Sequence, residues 1–87
     1  MIDWDLVSFL HRGKHRLRIL EILRKPKTPT QVKLDTGLHF NVVSRAIIEL
    51  QEKGFVKCLT PESKLSRIYV ITKKGDSYLL NAKEILK

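Results

Sequence analysis

Thr28-Pro29-Thr30-Gln31-Val32-Lys33-Leu34-Asp35-Thr36-Gly37-Leu38-His39 reads as one short helix held between two stops. Thr28 stands at the cap, Pro29 at the first helical position and Gln31 at the third, which makes a capping box with a preset first turn. Val32 and Leu34 are its expected inward residues. Gly37 falls where a helix needs a left-handed terminal residue, and Leu38 follows as an apolar anchor in the turn. A second helix opens at His39 or Asn41. His39 fits the register better, because Val43, Ala46, Ile47 and Leu50 then line one face. Lys53-Gly54 closes that helix. Two helices joined by a short glycine turn, over about 28–53, form a helix-turn-helix unit.

Upstream, residues 3–12 read as a helix capped by Asp3, with Trp4, Leu6, Val7 and Leu10 as its apolar stripe. Gly13 interrupts it. Leu17, Ile19, Leu20, Ile22 and Leu23 recur at helical spacing through residues 14–24, and Pro26 biases the chain out of that helix. Downstream the period changes. Residues 55–59 and 67–71 are β-favouring runs, separated by a spacer rich in turn residues around Pro61. Such a hairpin is seldom stable alone, so it should lie against the helices, with a third short strand possible. Thr72 caps a last helix over about 73–87, striped by Tyr78, Leu79, Ala82, Ile85 and Leu86. Gly75 in its first turn costs roughly 1 kcal/mol against alanine. Four helices, a hairpin over about 55–71 and a final helix give an α+β chain in winged helix-turn-helix order, one domain over 1–87.

Length and composition agree with that single domain. Eighty-seven residues leave no room for a second core, and so small a core gains from burial against a second copy. The longest apolar runs, such as Ile68-Tyr69-Val70-Ile71, fall far short of the roughly 20 residues that span a bilayer. Met1-Ile2-Asp3-Trp4-Asp5 lacks a basic n-region, so no signal peptide is expected and the cytoplasm is the expected address. The single cysteine, Cys58, leaves no internal disulfide, and its alternation with Val56 on a strand suits a small buried residue. His11 and His15 stand four apart, but Gly13 lies between them and cations crowd both, so neither metal nor cofactor is expected. No glycine-rich phosphate loop, activated nucleophile or carboxylate pair suggests an enzyme.

The net charge is +8, and its placement is informative. Arg12, Lys14, Arg16, Arg18, Arg24, Lys25 and Lys27 face only Glu21 in their stretch. Lys57, Lys64, Arg67, Lys73 and Lys74 face only Glu62 in theirs. Clustered cations are the signature of phosphate contact, although charge alone also fits a merely solvated basic surface.

Residues 38–56, Leu-His-Phe-Asn-Val-Val-Ser-Arg-Ala-Ile-Ile-Glu-Leu-Gln-Glu-Lys-Gly-Phe-Val, resemble the recognition helix and following strand of MarR-type and ArsR-type winged-helix regulators. The Val-Ser-Arg core and the Glu-Lys-Gly ending carry the likeness. Tyr69-Val70-Ile71-Thr72-Lys73-Lys74-Gly75 resembles their strand-to-helix join, and the opening residues 3–9 resemble small archaeal members. The resemblance implies a homodimer with two recognition helices in successive major grooves and wings on the flanking backbone or minor groove. Two departures matter. The wing tip has Leu65-Ser66 where relatives often carry Lys-Gly or Arg-Gly, and the paired cysteines of ArsR-type metal sensing are absent.

The amino-terminal end of such a helix faces base edges, which makes Phe40, Asn41, Ser44 and Arg45 the expected readers, with Val42 near the edge. Arg45 can fork onto guanine and Asn41 onto adenine or a phosphate, while Phe40 and Val42 suit thymine methyls. Arg45 equally suits a salt bridge to Glu49, and Phe40 equally suits the core of the turn. His39 serves as a cap or a phosphate ligand. Thr28, Thr30 and Gln31 offer a helix amino terminus to a phosphate, or simply cap it. Lys14, Arg16, Arg18, Lys64 and Arg67, with Ser66 at the wing tip, are the expected backbone contacts. Glu49 and Glu52 would repel phosphates, so the helix should enter a groove only by its first two turns. Trp4, Val7, Phe9 and Leu10, with Tyr78, Ala82, Ile85 and Leu86, form either an interface between two copies or an internal core. The expected function is sequence-specific double-stranded DNA binding by a transcriptional regulator. The alternative is a winged helix used for protein contact within a larger assembly, since fold alone does not separate the two roles.

Overall fold

The computed structural model describes residues 3–13, 15–63 and 67–85, with side chains as far as residue 83. Five helices and one hairpin follow in the expected order: α1 (Trp4–Arg12), α2 (Arg16–Ile22), α3 (Pro29–Thr36), α4 (Phe40–Glu52), β1 (Val56–Cys58), β2 (Tyr69–Ile71) and α5 (Lys73–Ile85).

Local chemistry sets most of the boundaries. The Asp3 carboxylate caps α1 by accepting from the Asp5 N–H at 2.9 Å. At α3 the capping box is complete: Gln31 N–H donates to Thr28 Oγ1 at 3.2 Å, and Thr28 N–H donates to Gln31 Oε1 at 2.9 Å. Gly37 ends α3 at φ 72°, and Gly54 turns the chain out of α4 at φ 79°. Leu34 departs from expectation. It is 76% exposed while Val32 is buried, because two residues along a helix rotate about 200°, so the two cannot share a face.

The strands are shorter than their β-favouring runs. Phe55 N–H is taken by the last turn of α4, through the Leu50 carbonyl, and Ile68 N–H by Thr60 Oγ1. What remains pairs antiparallel, with Val56 opposite Ile71 and Cys58 opposite Tyr69. The third strand reduces to one bridge, in which Lys27 and Tyr69 exchange both backbone hydrogen bonds, at 3.0 and 2.8 Å. Ile71 N–H also donates to the Leu23 carbonyl. The hairpin is thereby tied to the connection leading into α3.

Phe55 is the largest fully buried side chain of the core. Its ring lies 5.1 Å from Tyr78 and 6.3 Å from Phe9, among Leu10, Leu20, Leu50 and Leu79, none of which reaches solvent. This corrects the expected interface. Val7, Leu10, Tyr78 and Ala82 are buried within one chain, because α1 and α5 pack on each other and on Phe55 and leave those side chains nothing to offer a second copy. The Tyr78 hydroxyl accepts from Asp3 N–H at 2.9 Å and locks the two helices together. Phe9 is partly buried, its ring lying under the Arg16 guanidinium. Among the described residues of the expected set only Trp4, 67% exposed, stays outside. The Ile85 side chain and Leu86 lie outside the described residues.

Candidate nucleic-acid interface

The exposed face of the helix pair is built from the amino terminus of α3, the outer side of α4 and the start of β2. Thr28, Pro29, Thr30, Phe40, Ser44, Ile48, Gln51 and Arg67 line an open trough of about 520 Å³ between these elements. Thr28 and Gln31 are engaged in capping each other. That spends one lone pair of each and leaves the threonine hydroxyl proton and the glutamine amide N–H groups for an incoming acceptor. Thr30 projects into solvent beside them.

Along α4 the buried residues Val43, Ala46, Ile47 and Leu50 take one face, so Asn41, Arg45 and Ile48 take the opposite one. His39 holds the cap position without a side-chain capping bond, and its imidazole is exposed. Phe40 is 46% exposed and lies outside the turn's core. Asn41, Val42 and Arg45 are exposed, and Ser44 is half-buried at the trough wall. Among the described residues Arg45 makes no ion pair, because the carboxylate one turn on is already committed: Glu49 Oε2 accepts from Arg16 Nη2 at 2.8 Å.

Arg16 therefore has a different place from the one expected of it. Its guanidinium stacks 3.9 Å over the Phe9 ring and donates to the Phe9 carbonyl as well as to Glu49. Its stem passes so close to Gly13 that a Cβ there would lie 2.6 Å from Arg16 Cδ. An arginine held by a ring, a carbonyl and a carboxylate is a brace between α1, α2 and α4, unavailable to a phosphate. Arg16→Ala is expected to destabilise the fold by about 1.5 kcal/mol, the loss of a partly screened pair and a stacked cation. Urea unfolding measures this, and an unchanged midpoint would show the brace to be idle.

Three other cations are also paired on the surface: Arg24 with Asp76 at 3.2 Å, Lys27 with Asp35, and Lys83 with Glu21 at 2.6 Å. The basic clusters are thus less positive than a residue count implies. Arg67 Nε donates to the Ser63 carbonyl at 3.1 Å, which steadies the wing and leaves the terminal nitrogens at the trough rim. Arg18 is exposed on α2. Lys14, Lys64 and Ser66 lie outside the described residues. Ile48, half-exposed on the outward face, was missed from the sequence. Helical phase could have found it, since it stands seven residues after Asn41 and three after Arg45.

Comparison with known proteins places this geometry. A family model described as winged helix-turn-helix matches residues 16–87. Among solved structures the chain is similar to mutant MarR from E. coli complexed with operator DNA, with TM-score 0.74, 21% identity, and coverage of 90% of this chain and 58% of that one. It is similar to a second structure of mutant MarR from E. coli, with TM-score 0.78, 20% identity, and 97% and 66% coverage. It is also similar to the transcriptional regulator BldR from Sulfolobus solfataricus, with TM-score 0.74, 22% identity, and 94% and 63% coverage. The chain thus spans less than two thirds of the length of each. No curated protein sequence matches it.

Proposed function

The chain belongs to the winged helix-turn-helix family, its fold is that of MarR-type regulators, and from that premise we propose that it is a sequence-specific double-stranded DNA-binding transcriptional regulator. In this reading the first turns of α4 enter the major groove, the α3 amino terminus and Arg67 hold phosphates, and the protein works in the cytoplasm as a homodimer without catalysing a reaction. The observation that carries it is the outward face of α4. Asn41 and an uncommitted Arg45 stand together there, with Ser44 at the adjoining trough wall, while Glu49, the carboxylate one turn beyond Arg45, is drawn aside by Arg16. Fork-bearing and amide side chains in that position match the hydrogen-bonding edges of base pairs. The likeness to a MarR protein described in complex with operator DNA supports the same docking. Exposed Trp4 on α1 and exposed Leu80 on α5, two helices that pack on each other, support a pairing surface between copies on this helix pair. No described helix is long and apolar enough to cross a membrane.

Selection from a pool of random duplexes tests the proposal. A DNA-reading homodimer enriches a two-fold symmetric site with half-sites about 10 base pairs apart. A pool that stays random through repeated rounds, with the folded chain present, overturns DNA reading. Enrichment of one lone half-site, with a monomeric mass in light scattering, overturns only the dimer.

A further inference from the structure

Resting on that reading of α4 as the helix that faces base edges, we infer that its outward face recognises thymine methyl groups, with Ile48 as the central reader. Ile48 shares a face with Asn41 and Arg45, since residues three, four and seven apart on a helix are neighbours. It is 50% exposed, and two further apolar side chains, Phe40 and Val42, are exposed along the same helix. Single exposed apolar residues are ordinary on a protein surface. Phe40 and Ile48 line one trough beside the free guanidinium of Arg45, while Val42, about 200° around the helix from Phe40, lies on the other side of Asn41 and Arg45.

Base chemistry decides what such a surface fits. In the major groove each base pair presents donors and acceptors, and the only apolar group there is the C5-methyl of thymine. An isoleucine pressed against any other edge strips water from polar atoms and returns no hydrogen bond, which is penalised. Against the methyl it buries apolar area on both sides. A β-branched side chain in a helix holds one χ1 rotamer, so Ile48 presents its methyls at a fixed place.

Electrostatics allow the third turn of α4 to approach. Glu49, the carboxylate next to Ile48, is held at 2.8 Å by Arg16 on the side toward α2. Arg67 lines the same trough as Ile48, Phe40 and Ser44, which gives a polyanion cations on either side of the apolar patch. The contact therefore reaches Ile48, three residues beyond Arg45, and stops short of Glu52, which is exposed and makes no ion pair among the described residues.

The test uses the duplex selected by the full chain, remade with each thymine replaced singly by deoxyuridine, which removes the methyl and keeps every hydrogen-bonding group. At one or two positions in each half-site, uracil should weaken binding roughly fourfold, the equivalent of one lost buried methyl. Ile48→Ala should bind the thymine duplex less tightly and become indifferent to uracil at one of those positions. Ile48→Val should keep part of the preference. Circular dichroism confirms that the alanine variant is folded, as expected for a half-exposed side chain. Uracil that is neutral at every position overturns the inference and leaves DNA binding standing. So does an Ile48→Ala variant that still prefers thymine. If Ile48→Ala abolishes association with a protein and leaves duplex affinity untouched, the face is a protein-docking surface and the inference falls. A chain that selects no duplex loses both this inference and the proposed function.

Discussion

Gly75→Ala is expected to lower stability by about 3 kcal/mol and the melting temperature by roughly 15 °C. Helix propensity alone predicts the opposite, since alanine is favoured over glycine by about 1 kcal/mol inside a helix. The contacts override it. Gly75 sits in the first turn of α5 where the chain leaving α4 passes against it. A Cβ there would lie 2.1 Å from the Phe55 carbonyl oxygen and 2.8 Å from Ile71 Cγ1. The Phe55 carbonyl, the closer of the two, cannot retreat. The Phe55 oxygen accepts from Thr72 N–H at 2.9 Å, Phe55 N–H is bonded to Leu50, and the Phe55 ring is fully buried in the core. Gly37 is the control. It needs a glycine only for its φ of 72°, with nothing within 4 Å of a Cβ, so Gly37→Ala should cost about 1 kcal/mol. Thermal melts of the two variants decide it. A Gly75→Ala protein as stable as the parent would mean that α5 and β1 can separate freely.

That glycine shows where sequence reading stops. Its cost within a helix is visible from its position, but its reason is a backbone passing twenty residues away in the chain. Local signals fared better. Thr28, Pro29 and Gln31 define the start of α3 by bonds that reach three residues, and Gly37 and Gly54 mark turns by their own φ. The period of Val43, Ala46, Ile47 and Leu50 predicts the buried face of α4 as found. Long-range pairing was hidden. Arg16 reads as one more cation in a basic run until folding brings Glu49 and Phe9 beside it, and the same event releases Arg45 from the carboxylate one turn beyond it. The apolar residues of the terminal helices were legible as a stripe. Whether a stripe faces a second copy or the chain's own core depends on how α1 and α5 cross, and nothing local encodes that.

Arg45→Ala is expected to weaken binding of the selected duplex by about 30-fold, or roughly 2 kcal/mol. It should affect unrelated duplexes far less. Arg45 is exposed on the outward face of α4 and has no competing ion pair among the described residues, so under the proposed function its forked donors are available to a guanine edge without first breaking an internal bond. Arg45→Lys keeps the charge and loses the fork, and should recover little of the specificity. Arg67→Ala supplies the contrast. A lost phosphate contact weakens selected and unrelated duplexes alike and lowers the slope of log affinity against log salt by about 0.9. Equilibrium titrations at several salt concentrations separate the two behaviours. Parent-like affinity of Arg45→Ala for the selected site would remove Arg45 from the reading face.

The bridge between Lys27 and Tyr69 also bears on how the protein avoids sticking to itself. A free two-stranded hairpin has two open edges, each a template for another chain's strand. Here β2 is covered on both sides, by β1 on one and by Lys27 and Leu23 on the other. Among the described residues only the outer edge of β1 remains open, three residues long with exposed Lys57 at its centre. So short and charged an edge is a poor seed for intermolecular sheets. Self-association is thereby steered toward helical surfaces, where the side chains that meet can be selected one by one.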